Sequence, residues 1–90
     1  MIMPYELHIE RHAEKDLNKL EKSLFIQIAT KIKELATNPH PRGSKKITDS
    51  QNDWRLRVGD YRVLYEIDKK TKTINIMRIK HRREAYRDLQ

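Results

Sequence analysis

The chain of 90 residues contains no cysteine. Disulfides and thiolate chemistry are therefore excluded, and a reducing compartment is the natural expectation. Glycine occurs twice and proline three times, so no glycine-rich loop is available to cradle a phosphate. No apolar run approaches the length of a membrane span, and the opening MIMPYELHIERH has no apolar leader core. A soluble, cytoplasmic protein is expected. Internal repeats, low-complexity tracts and domain linkers are also missing, which leaves one domain over residues 1–90.

What is present is charge. Hydrophobic and charged residues each make up 37% of the chain, enough apolar material for one small core. Lysine and arginine number 20 against 13 acidic residues, a net charge of +7. Such an excess suits a polyanionic partner, because neutralising phosphates with release of counterions dominates sequence-independent nucleic-acid binding. Solubility alone also makes small proteins basic, so the placement of the charges has to decide.

The segment MPYELHI alternates, with Tyr5, Leu7 and Ile9 on one face, and predicts a first strand. In RHAEKDLNKL, Ala13, Leu17 and Leu20 keep helical spacing. A second helix follows, with Ser23 as the expected N-cap, an apolar stripe of Phe25, Ile28, Ile32, Leu35 and Ala36, and a stop at Asn38-Pro39. The loop PRGSKKITDSQND leaves room for a short edge strand around Lys45 to Thr48. Strands are then expected at Trp54 to Val58, Tyr61 to Ile67 and Thr73 to Ile79, and the closing KHRREAYRDLQ as a turn or frayed helix. The fold class is α+β: an N-terminal strand, a two-helix hairpin, then a three-stranded antiparallel meander, forming one sheet with helices on one face.

Gly59-Asp60 predicts a two-residue hairpin turn of type I′ or II′. Closing there pairs Trp54 with Tyr65, Leu56 with Val63 and Val58 with Tyr61, all apolar or aromatic, and a slip of one residue destroys the match. The same register sets Arg57 against Arg62 on the other face, with Arg55 opposite Leu64 and Asp53 opposite Glu66. Two readings of this like-charged pair stay open. Long guanidiniums splay apart in water at negligible cost, or they converge to hold a phosphate, which their donor fork fits. The segment RIKHRREAYR, Arg78 to Arg87, favours the second reading. It adds five basic residues beside the hairpin, interleaved with His81 and Tyr86, so that phosphate-binding, proton-transfer and base-stacking groups share one surface. Elsewhere the plain reading prevails. His8 and His12 straddle a strand-to-helix junction and lack a third ligand, so no metal site is expected; His40 is read as exposed and Trp54 as core.

The layout AEKDLNKL, a helix ending near NPHPRG, then WRLRVGDYRVLYEI and IKHRREAYR, resembles the RelE/ParE superfamily of bacterial and archaeal toxins over almost the whole chain, and its RelE-like branch in particular. The resemblance implies a small, cofactor-free endoribonuclease that enters the ribosomal A site, cuts translated mRNA, and is held inactive by an acidic antitoxin protein. It implies that Arg62 is the catalytic arginine of the YR motif, that Arg55 and Arg57 occupy two basic positions that are lysines in better-known members, and that Arg82 and Tyr86 belong to the C-terminal motif. His81 stands where some relatives use a histidine. Metal-free RNA cleavage needs a base at the ribose 2′-OH, positive charge around the phosphorane and an acid for the 5′-oxygen. On this reading Arg57, Arg62 and Arg82 stabilise charge, Tyr86 acts as base or stacks on a nucleobase, and His81 is the acid. Arg55, Arg78, Lys80 and Arg83 then bind RNA phosphates. Arginine cannot act as a general base, so the change from lysine at Arg55 and Arg57 matters. The alternatives are a ParE-like inhibitor of DNA gyrase and a non-catalytic RNA- or ribosome-binding module.

Overall fold

Alternation and helical spacing sort the chain into β1 (Glu6–Ile9), α1 (Arg11–Asn18), α2 (Lys22–Leu35), β2 (Ser44–Lys46), β3 (Asp53–Val58), β4 (Tyr61–Asp68) and β5 (Thr73–His81). These elements are seen in a computed structural model that describes residues 4–84. The strands form one sheet in the order β1-β5-β4-β3-β2, with β1 parallel to β5 and every other pairing antiparallel. The short edge strand for which the loop leaves room is present, at Ser44–Lys46 instead of Lys45 to Thr48, and makes a fifth strand. Residues 44–46 pair with residues 54–56 and cover the outer edge of β3, so the meander runs over four strands. The last expected strand also continues to His81, and residues 82–84 form a helical turn.

Both helices lie on one face because each carries a single apolar stripe. Ala13 and Leu17 of α1 and Ile28, Ile32 and Leu35 of α2 pack with Leu56, Val58, Val63, Tyr65, Ile67, Ile74, Ile76 and Ile79 in one core. Each such large aliphatic side chain contributes on the order of 1.5–3 kcal/mol when removed from water. With only eight residues, α1 is too short to be stable alone, and its packing against β5 holds it. Tyr65 is fully buried, with its hydroxyl donating to the Pro39 carbonyl at 2.8 Å. Burial, opposed by a hydrogen bond from Ser44, pushes its phenol up to about 12. Trp54 packs half-buried at the margin of the core, under the His40 ring at 4.3 Å.

Three local expectations change. Helix α2 starts one residue before Ser23, at Lys22; Glu21 takes the cap position, and Ser23 Oγ donates to its carboxylate at 2.6 Å. The buried stripe of α2 begins at Ile28, which leaves Phe25 38% exposed, and Ile9 at the end of β1 is 45% exposed. The third change reaches the site. Between Leu64 and Tyr65 the β4–β5 register shifts, and Met77 is left without a partner on β4. A bulge of this kind reverses the alternation of the strand that carries it. Ile74 and Ile76 precede it on the helix side; after it Ile79 returns to the core, and Arg78 and Lys80 turn to the open face.

Candidate nucleic-acid interface

The β3–β4 hairpin closes in the expected register, Trp54↔Tyr65, Leu56↔Val63 and Val58↔Tyr61. Gly59 has φ +59° and Asp60 is not in the left-handed region, the pattern of a type II′ turn, in which the first central residue is the glycine. With this register, the face away from the helices is ordered as cross-strand rows. One row is Gly43, Arg57, Arg62 and Lys80; the next is Lys45, Arg55, Leu64 and Arg78. Farther from the turn, Asp53 pairs with Glu66, and Glu66 accepts a hydrogen bond from Asn75 at 3.0 Å. The face is therefore polarised: cationic toward the Gly59 turn, acidic at the other end.

Arg62 is the centre of the cationic end. It is 7% exposed, the one charged residue in the buried class among the described residues. Its Nη1 donates to the Gly59 carbonyl at 3.0 Å and to the Tyr61 carbonyl at 2.9 Å. Both acceptors are neutral, so the guanidinium is fixed in orientation while its charge stays uncompensated. The Nε and Nη2 donors take no part in these bonds. Arg57, directly across, is exposed and forms no ion pair among the described residues. Arg55, Arg57 and Arg62 line a hollow of about 190 Å³ with Gly43 and Lys45. No carboxylate lines it, and like charges this close repel, so an anion entering it relieves a built-in cost.

The remaining sequence candidates divide. Lys80 pairs with Arg62 and is half-buried on the same face. Arg82 lies at the rim: its backbone N–H donates to the Asp60 carbonyl at 2.8 Å, which keeps the end of β5 against the turn. Arg82 and Arg83 are both exposed. His81 pairs with Tyr61 and follows the strand's alternation to the helix side, away from Arg57 and Arg62. Its ring meets the Tyr61 ring edge-on at 5.5 Å, and its Nδ1 accepts the Arg83 amide at 3.4 Å. Both rings line a separate hollow of about 290 Å³, together with Asp16, Arg78 and Glu84. Tyr86 lies outside the described residues.

Arg78 is drawn aside. Its Nε and Nη2 donate to the Asp16 carboxylate of α1 at 2.8 and 3.2 Å, and the Ile79 N–H donates to the same carboxylate at 2.9 Å. The Asp16 carboxylate takes up the edge of β5 that β1, which ends at Ile9, no longer covers. Partial burial pushes the Asp16 carboxyl up, but the Arg78 and Ile79 hydrogen bonds and the Arg78 and Lys19 charges outweigh it and hold the group below its ordinary value.

Two positions beside the site were not singled out as site residues in the sequence. Lys45 was named only as the start of a short edge strand, although the run RGSKK concentrates charge there. Asp16 had a signal: it borders the apolar stripe of Ala13, Leu17 and Leu20 on the helical wheel. Among the described residues, no three His, Asp or Glu side chains gather closely enough to hold a metal ion, and no helix is long and apolar enough to cross a membrane.

Known proteins are similar to this chain in sequence and in fold. Residues 7–86 match the family described as the ParE toxin of the type II toxin-antitoxin system, parDE. Toxin RelE of Mycobacterium tuberculosis is 34% identical over 85 residues, covering 93% of this chain and 88% of that one. Toxin RelG of the same organism is 30% identical over 86 residues, 94% of this chain and 99% of that one. The crystal structure of the archaeal RelE–RelB complex from Pyrococcus horikoshii contains a chain that superposes with a TM-score of 0.79 at 30% identity, over 89% of this chain and 97% of that one. The chain belongs to the RelE/ParE superfamily of type II toxin–antitoxin toxins, on its RelE-like branch.

Proposed function

We propose that this toxin is an endoribonuclease that cuts translated mRNA in the ribosomal A site, by metal-free attack of a ribose 2′-OH on the adjacent phosphate. The observation that carries the reading is the hollow lined by Arg55, Arg57 and Arg62, in which the turn carbonyls fix Arg62 and whose lining contains no carboxylate. Fixed positive charge at the place where a phosphorane accumulates negative charge is the largest catalytic term in such a reaction. Arg57 and Arg62 hold the reacting phosphate, and Arg82 at the rim adds charge beside the 5′-oxygen. Arg55, Lys80 and Arg83 guide the neighbouring phosphates. Arg78 is bound to Asp16 and is left out of this set, and His81, on the Tyr61 side of β5, packs rather than transfers the proton. Tyr86, outside the described residues, keeps the two roles that the family resemblance offers, base at the 2′-OH or stacking surface for a nucleobase.

The partner that silences the toxin is an acidic antitoxin. The Pyrococcus horikoshii relative is in complex with RelB, and a net charge of +7 suits a partner of opposite sign. Toxin and target meet in the cytoplasm, where ribosomes translate. Because the family model is described as ParE, inhibition of DNA gyrase is the second reading.

The test compares wild type with Arg62→Ala on a defined mRNA in translating ribosomes, alongside a supercoiling assay. Cleavage by wild type and its loss in the variant support the ribonuclease. Intact mRNA with blocked supercoiling supports the gyrase reading, and ribosome binding without a cut supports a non-catalytic module.

A further inference from the structure

The proposed cleavage needs a proton acceptor at the 2′-OH, and the two β3 arginines cannot serve, since guanidinium keeps its proton throughout the accessible pH range. We infer that Lys45 on the edge strand β2 is that acceptor, an inference that rests on the ribonuclease reading above. Of the residues lining the 190 Å³ hollow (Gly43, Lys45, Arg55, Arg57 and Arg62), Lys45 alone carries an amine, which unlike a guanidinium can give up its proton and accept another.

Its position follows from the pairing of β2. Lys45 lies opposite Arg55, and the Arg57 N–H donates to the Gly43 carbonyl at 3.0 Å, so β2 is laid along the row that faces the phosphate. Gly43, at φ +94°, adopts a backbone conformation suited to glycine and brings no side chain to that row, which keeps the hollow open on the Lys45 side. Lys45 is exposed and forms no ion pair among the described residues, so no carboxylate ties up its amine. Lys80 does not line the hollow, and His81 faces the other side of the sheet.

In the step, the neutral Lys45 Nζ accepts the 2′-OH proton while the 2′-oxygen bonds to phosphorus. The P–O5′ bond breaks with its electron pair on the 5′-oxygen, which takes a proton from solvent at the open mouth. Lys45 returns its proton to water. The products are a 2′,3′-cyclic phosphate and a free 5′-OH; nothing is oxidised or reduced.

The experiment uses the full-length toxin with a defined mRNA on translating ribosomes, and reads single-turnover cleavage against pH. Lys45→Arg keeps the charge and removes the acceptor. Its cleavage rate falls by about 10²–10⁴-fold, the range of general base catalysis, with KM unchanged and the rise of rate with pH gone. Lys45→Ala is equally slow, and added primary amines restore it in order of their basicity. Far-UV circular dichroism of both variants checks the fold, which an exposed edge residue does not control. A Lys45→Arg protein with the wild-type rate and pH profile overturns the inference, as does a Lys45→Ala protein that amines fail to rescue. In both cases the ribonuclease reading survives. A wild-type toxin that leaves translated mRNA intact overturns that reading, and Lys45 with it.

Discussion

Arg62 and Arg78 lie on neighbouring strands, and the surroundings of each give it a different task. Arg62 is buried and bonded to the carbonyls of Gly59 and Tyr61. Arg78 is half-exposed and bonded to the carboxylate of Asp16. Neutral acceptors fix a guanidinium without cancelling its charge, whereas a carboxylate fixes it and cancels it. On the function proposed above, the hairpin end of the sheet is read as an anion receptor and the α1–β5 seam as a structural clamp. Charge density alone does not separate the two; the chemistry of the acceptor does.

Removing the receptor's anchor has the largest expected effect. Arg62→Ala lowers the cleavage rate on translating ribosomes by about 10²–10³-fold, the usual loss when one preorganised donor to a developing oxyanion is deleted. Lysine at this position does not restore the rate, because an ammonium cannot bond to the two turn carbonyls and keep a planar fork for phosphate. Breaking the clamp acts on stability instead. Asp16→Asn loses a carboxylate that accepts three hydrogen bonds, at a cost of about 1.5–3 kcal/mol in urea unfolding, toward the lower end because Arg78 is partly solvated. The sign of its pH dependence follows from the depressed carboxyl. With a folded pKa below the unfolded value of about 3.9, the Asp16 contribution is fully present above that value and is lost as pH falls through the folded pKa. The variant's stability accordingly falls less steeply in acid than that of wild type.

The receptor was legible in sequence because its register is over-determined. A Gly-Asp turn and three matched apolar pairs leave one alignment of β3 on β4, and that alignment opposes Arg57 and Arg62. The clamp was not, because it joins residues 62 apart in the chain, and no local pattern announces which acid an arginine finds. The bulge in β5 was not drawn from the sequence, although Ile74, Ile76 and Ile79 are spaced by two and then by three, which is the mark of an inserted residue; past it, His81 lies on the helix side, apart from Arg57 and Arg62. The edge strand β2 spans three residues, below the length at which alternation is informative.

The turn that feeds Arg62 its carbonyls gives a smaller effect. Gly59→Ala forces a side chain into φ +59°, at about 1–2 kcal/mol, although no atom lies near enough to clash with the added methyl. Since Arg62 holds the Gly59 carbonyl, cleavage declines along with urea stability.

The smallest effect sharpens the comparison most directly, because it counts charges. In binding of the purified toxin to single-stranded RNA, log K falls with log salt at a slope of about −0.7 for each phosphate neutralised. Arg57, exposed and without an ion pair among the described residues, is available for one such contact. Arg57→Ala therefore makes the slope shallower by about 0.7. Arg78→Ala leaves the slope unchanged, since its charge is already matched by Asp16, and it lowers stability instead. A slope that moved equally for both variants would mean that RNA competes successfully for Arg78. The Asp16 clamp would then open when RNA binds, and the division of the sheet into receptor and clamp would hold for the free protein alone.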